Sequence, residues 1–205
     1  MERIPGCTGA LVAGGKATRL GGWPKGLLRA GGETLAARAV ALFRALFGEV
    51  LVVANDPAPY ADLGVPVVPD ALPGKGAPGG LHAALRSART PWVFAAGCDM
   101  PFLSAVAIRF LWERRGAAPA ALVEWERGLE GLHAFWSAPC LPLVERMLRE
   151  GEPSLRALAT AAGARVVTAA EWRLVDPDGR AFENANAPED LARLGLEGPG
   201  GGARR

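Results

Sequence analysis

The sequence predicts an α/β domain built on a mostly parallel β-sheet. Short apolar runs of strand character alternate with longer segments whose apolar residues recur at helical spacing. The chain has 205 residues, 50% of them apolar, enough for one domain with its own core. Several strand-like runs end directly in a glycine-rich loop, an Asn or an Asp. Open sheets of this class bind ligands just beyond the carboxyl ends of their strands.

Taken in order, TGALVA is a short buried strand followed by the glycine-rich stretch AGGKATRLGGWPKG. In ETLAARAVALFRALF, Leu35, Ala39, Val40, Phe43 and Leu46 share one helical face, with Thr34 placed to cap it. EVLVVAN and VPVVPD read as strands, APGGLHAALRSA as a helix and PWVFAAGCDMP as a fourth strand. SAVAIRFLWERRG is a helix with Ser104 at its start. AALVEWE and LHAFWS are strands joined by a turn at RGLEG. Helices near LPLVERMLRE and SLRALATAAG, a strand at ARVVTA and a helix at APEDLARLG follow. LEGPGGGARR reads as a frayed tail.

Composition narrows the function classes. A net charge of +2 without a basic run argues against a nucleic-acid partner. MERIPGCTGALVAGG lacks the pattern of a secretory signal, and no apolar stretch reaches the length of a membrane span. Cys7, Cys98 and Cys140 form no CxxC pair, which disfavours a disulfide framework or a zinc site. A cytoplasmic location is expected, with neither membrane nor nucleic acid as partner.

The chain has no Gln, and its few Lys and Asn residues fall in loops. Lys16 and Lys25 lie in the first glycine loop and Lys75 in a second, PGKGAPGG. Asn55 ends a strand, and Asn184 and Asn186 sit together in FENANAPED. Turns favour Asn without any function, but they do not specially favour Lys. Glycine-rich backbone beside a helix start cradles phosphate oxygens, and Lys and Arg19 add positive charge. The stretch fits neither the Walker A pattern nor GxGxxG, so it is a third kind of phosphate loop. Asp99, at the tip of WVFAAGCDMP, is placed either to hold Mg²⁺ with phosphates and water or to brace the turn before Pro101.

LVAGGKATRLGGWPKGLL, GCDMP, PDALPGKGAPGGLHAAL, GEPSLRAL and NANAPEDL together resemble the motifs of the molybdenum cofactor guanylyltransferases. These belong to the nucleotidyltransferases with a three-layer Rossmann-like domain and a mostly parallel mixed sheet. The resemblance runs from about Gly9 to Leu194. It implies one nucleotidyltransferase domain over 1–195, with a disordered tail over 196–205. It implies nucleotide contacts at Val12, Ala13, Gly14, Gly15, Gly22, Lys25, Asn55, Asp70 and Asp99, catalytic roles for Lys25, Arg19 and Asp99, and Mg²⁺ on Asp99. Arg156, Asn184 and Asn186 fall on the acceptor side. The implied substrates are GTP and molybdopterin or its molybdenum-loaded form, with transient contacts to cofactor-biosynthesis proteins or molybdoenzymes.

Two positions depart from the family. Pro24 stands where the family usually has Asp, and Pro-Lys is common at this place in sugar-phosphate and cytidylyl transferases. A transferase for another acceptor therefore stays open, as does a non-catalytic nucleotide-binding module. GLHAFW stands where the family tends to carry His-Pro, so His133 is either that histidine or a core residue.

Overall fold

The computed structural model describes residues 2–14, 23–126, 128–151 and 153–198. The strands are β1 (Cys7–Val12), β2 (Arg29–Ala30), β3 (Glu33–Thr34), β4 (Glu49–Val53), β5 (Val67–Val68), β6 (Trp92–Gly97), β7 (Ala120–Trp125), β8 (Gly128–Ser137) and β9 (Arg165–Val167). The helices are α1 (Leu35–Leu46), α2 (Gly76–Ser87), α3 (Ala105–Arg114), α4 (Leu141–Glu150), α5 (Leu155–Ala162), α6 (Ala169–Trp172) and α7 (Pro188–Leu194). The main sheet has the order β5-β4-β1-β6-β8-β7-β9. β5, β4, β1 and β6 run parallel, β8 runs antiparallel to both neighbours, and β9 is parallel to β7.

Period-two alternation on the buried strands builds a core on each face. Leu11, Val52, Phe94 and Val123 face α1, α3 and α6; Ala10, Val53, Val93 and Leu122 face α2, α4 and α5. The architecture is the expected three-layer α/β fold. Thr34 caps α1, its hydroxyl accepting from the Ala37 amide at 3.2 Å. Ser104 occupies the N-cap of α3, but its side chain makes no capping bond.

Some features depart from the sequence reading. No strand is read between the first glycine loop and α1, yet Gly31 and Gly32 turn a small hairpin there, β2–β3, with φ of +60° and +84°. Two successive positive φ values are what a tight two-residue hairpin turn requires. β8 begins at Gly128, so RGLEG is largely strand. The tail expected over 196–205 is ordered at its first two residues. Leu196 is buried with Leu28, Leu35 and Leu194, and Glu197 pairs with Arg29 through both backbone bonds, at 2.9 and 2.8 Å. Residues 199–205 lie outside the described residues.

One irregularity shapes the site. Ala121 pairs with Phe135, but Val123 pairs with Glu130, so β8 spends several more residues than β7 over the same span. This bulge contains His133, at φ +145°. β8 follows β6 only through Ala134–Ser137, while β6 continues along β1 to Gly97. The two strands diverge, and a cleft opens between them at the carboxyl end of β6.

Helix α2 approaches β1 closely through Gly80, where a Cβ would lie 2.4 Å from Val12 Cγ1. Gly80→Ala forces helix and strand apart. We expect a loss of about 1–3 kcal/mol, a fall in Tm of roughly 2–4 °C per kcal/mol in a domain of this size. Thermal unfolding checks it; an unchanged Tm contradicts the tight contact.

Candidate active site

The carboxyl ends of the parallel strands gather the expected residues. Ala13 continues beyond β1, its amide donating to Val53 O at 2.8 Å, and Gly14 follows it. Asn55 follows β4, and its carboxamide oxygen accepts the Asp70 amide at 2.9 Å. The Asn55 amino group lies 3.5 Å from Asp70 Oδ2. Asp70 Oδ1 is buried and has no hydrogen-bond partner among the described residues. Burial raises the Asp70 pKa, against the opposing pull of the Asn55 hydrogen bond. A Cβ on Gly14 would lie 3.6 Å from Asp70 Oδ2, so the first glycine loop starts directly against this carboxylate.

Asp99 follows β6. A Cβ on Gly97 would fall 2.7 Å from Asp99 Oδ1; glycine there lets the carboxylate fold back over the strand end. Lys25 enters from the short 3₁₀ turn Lys25–Leu27, which begins directly after Pro24. Its Nζ donates to Asp99 Oδ2 at 2.9 Å and to Asn186 Oδ1 at 2.5 Å. The Ala185 amide donates to Asp99 O at 3.0 Å. The lysine and aspartate side chains are 17% and 20% exposed, so the pair is shielded yet reachable by a ligand.

Two clefts meet here. The smaller, about 190 Å³, is lined by Val12, Gly14, Lys25, Asp70 and the start of α2. The larger, about 510 Å³, lies in the gap between β6 and β8 and carries Leu129, Glu130, Leu155, Arg156 and Asn184. Both are bordered by Ala77, Gly97, Asp99 and Leu132. Asn184 and Arg156 thus face the larger cleft, whereas Asn186 is drawn to Lys25. Gly15, Lys16, Arg19, Gly22 and the rest of the first glycine loop from 15 to 22 lie outside the described residues. Lys75 lines neither cleft; its Nζ donates to Gly151 O at 3.0 Å.

Sequence reasoning missed Glu130, Gly131 and Leu155. RGLEG reads as a turn, so nothing marked Glu130 as a cleft residue. At Gly131 a Cβ would lie 2.4 Å from Leu155 Cβ, so glycine lets α5 close on the cleft wall. Cys98 lines the smaller cleft, but burial pushes its thiol up to about 12. It stays protonated and is no nucleophile. Among the described residues no cluster of three or more His, Cys, Asp or Glu could hold a metal by itself. The single carboxylate of Asp99 fits the way Mg²⁺ is commonly held, by one or two carboxylates with phosphates and water.

A family model described as a MobA-like NTP transferase domain matches residues 9–169. A molybdenum cofactor guanylyltransferase of Desulfosudis oleivorans is 30% identical over 91% of this chain and 93% of its own length. One of Serratia proteamaculans is 32% identical over 91% and 92%. Among solved structures, molybdopterin-guanine dinucleotide biosynthesis protein A of Archaeoglobus fulgidus matches with a TM-score of 0.75 at 23% identity, covering 91% and 95% of the two chains. The 2-C-methyl-D-erythritol 4-phosphate cytidylyltransferase of Thermus thermophilus matches with a TM-score of 0.58 at 18% identity, covering 90% and 95%. At these identities the two structures speak for the fold alone.

His133 is a core residue. It is fully buried and packs edge-on against Phe94, Trp172 and Phe182 at 5.2, 5.3 and 5.5 Å. Burial pushes its pKa from 6.5 down to about 4. Between those values the unfolded chain takes up a proton here that the folded chain refuses, so stability falls as pH falls through this window. His133→Leu should flatten the dependence of ΔG on pH between about pH 6.5 and pH 4, whatever its effect on stability at neutral pH. Urea unfolding across that range checks it; an identical slope refutes it.

Proposed function

We propose that this chain, which belongs to the molybdenum cofactor guanylyltransferases within the MobA-like NTP transferases, transfers GMP from GTP to the terminal phosphate of molybdopterin or its molybdenum-loaded form. The observation that carries the reading is the Lys25–Asp99 pair on the border of two clefts. The nucleotide takes the smaller cleft and the acceptor the larger. The acceptor phosphate oxygen attacks the α-phosphorus in line, the bond to the β-phosphate breaks, and pyrophosphate leaves.

The residues act mainly by position and charge. Asn55 spends its carbonyl oxygen on Asp70, so an amino donor stands beside a carboxylate acceptor. That order complements guanine O6 next to N1–H; adenine presents the reverse. Lys25, with Arg19 and the amides of Gly14, Gly15 and Gly22, steadies the triphosphate. Arg156 attracts the acceptor phosphate, and Asn184 supplies polar contacts to the acceptor. Asp99 is the residue that would hold Mg²⁺. When bound, the cation offsets the repulsion between the two phosphate groups. Burial of all three cysteines as free thiols supports a cytoplasmic setting. No helix among the described residues is long and apolar enough to cross a membrane.

Pro24 favours one rival, a nucleotidyltransferase for a different acceptor. A labelled-nucleotide assay separates the two. With molybdopterin as acceptor, label from α-labelled GTP should appear in the dinucleotide product and label from γ-labelled GTP in pyrophosphate. GTP should exceed ATP and CTP, whose edges present the reverse order, in kcat/KM by at least about tenfold, the worth of one lost polar contact. A clear preference for CTP or UTP overturns the guanylyl assignment and promotes the rival.

A further inference from the structure

Lys25 is held from two sides, and only one is explained by the chemistry above. Asp99 supplies the opposite charge. Asn186 supplies a neutral oxygen from a loop 161 residues away in sequence, at 2.5 Å. An exposed asparagine on a loop does not hold such a position unaided, because the free side chain loses rotamer entropy when fixed. Asp190 fixes the loop. Its Oδ2 accepts the Asn186 amide at 2.8 Å and the Ala187 amide at 3.0 Å. Its Oδ1 accepts from Arg193 Nη2 at 3.0 Å, and the other nitrogen of that guanidinium donates to Glu183, on the near side of the same loop. The Arg193 fork therefore ties the two flanks of 184–187 together. Below, the loop is anchored by the Ala185 amide on Asp99 O and by Ala185 packed with Leu28, Leu35 and Leu194.

We propose that Asp190 is a positioning residue for Lys25: by taking the amides of Asn186 and Ala187 it holds the Asn186 carboxamide oxygen at Lys25 Nζ, fixing the cation beside Asp99. Asp190 touches neither cleft and acts only through Asn186. The claim that this matters for turnover rests on the function proposed above; the claim that it sets the position of Lys25 does not.

The competing account is that Asp190 merely caps α7. The two separate in the chemical reactivity of Lys25. Competitive acetylation of the folded protein, read by peptide mass spectrometry, compares Lys25 with Lys75 as an internal reference. In Asp190→Ala the Lys25/Lys75 labelling ratio should rise several-fold. Asn186→Ala should raise it equally, and the double variant no further, because the two act in series. Asp190→Asn, whose carboxamide oxygen still accepts both amides, should leave the ratio near wild type. If the alanine variant does not fold, Asp190→Ser carries the test: its shorter side chain keeps at most one of the two amides, so the ratio should still rise, though by less. In GMP transfer, folded Asp190→Ala should lose about tenfold in kcat, the worth of one hydrogen bond to a charged group, with KM for GTP little changed. An unchanged labelling ratio in a folded alanine or serine variant overturns the proposal, as does an additive effect in the double variant. Normal labelling shifts without any GMP transfer by the wild type would instead count against the proposed function.

Discussion

A lysine and an aspartate 74 residues apart meet at 2.9 Å, and the arrangement of the whole site follows from that contact. Three distant parts of the chain must converge to make it. Asp99 is delivered by the tip of β6, the strand with β1 on one side and β8 on the other. Lys25 arrives from the turn that follows the first glycine loop. Asn186 comes from the segment before α7, which is tied down again where Glu197 pairs with Arg29. The sheet brings the aspartate, and the packing of Leu28, Leu35, Leu194 and Leu196 brings the other two.

The two sides of the contact are different kinds of structure. On one side lies the parallel part of the sheet, whose strand ends place Gly14, Asn55 and Asp70 against one another. This wall, lined in part by glycine, is the side to which the proposed function assigns the nucleotide. On the other side, β8 runs antiparallel and leaves β6 early because of its bulge. The gap becomes the larger cleft, with leucines for walls and a few polar groups at the edge. One irregularity in one strand thus yields a second cleft. The cost is a buried, uncharged His133 in a strained backbone conformation.

Much of this was legible in the sequence. The strands and long helices follow from apolar periodicity, and Thr34 declares its cap. Asn55, Asp70 and Asp99 end strand-like runs, so the topology rule for open sheets places them on one edge. What escaped was set by contacts between distant segments. No strand is read around Gly31 and Gly32, and only the pairing of β2 with β3 makes them a hairpin turn. Asn184 and Asn186 are two residues apart and read as one unit, yet the structure sends one to the larger cleft and the other to Lys25. Leu196 and Glu197 look like tail because the residues around them are Gly and Pro; burial against Leu28 is invisible in local composition. Glu130 sits in a stretch whose glycines suggest a turn.

The charge of Asp99, as distinct from its shape, is what the account depends on, and Asp99→Asn isolates it. Asparagine is nearly isosteric and still offers an oxygen to Lys25. The decisive measurement pairs the Tm of this variant with its rate of GMP transfer at saturating GTP, acceptor and Mg²⁺. The Tm should lie within a few degrees of wild type, because the pair is partly exposed and turns accept either residue. The transfer rate should fall by roughly 10²–10³-fold, the loss typical when a key electrostatic group is removed. A folded Asp99→Asn protein that transfers GMP at the wild-type rate would contradict this role of the charge and reduce Asp99 to a brace for the turn before Pro101.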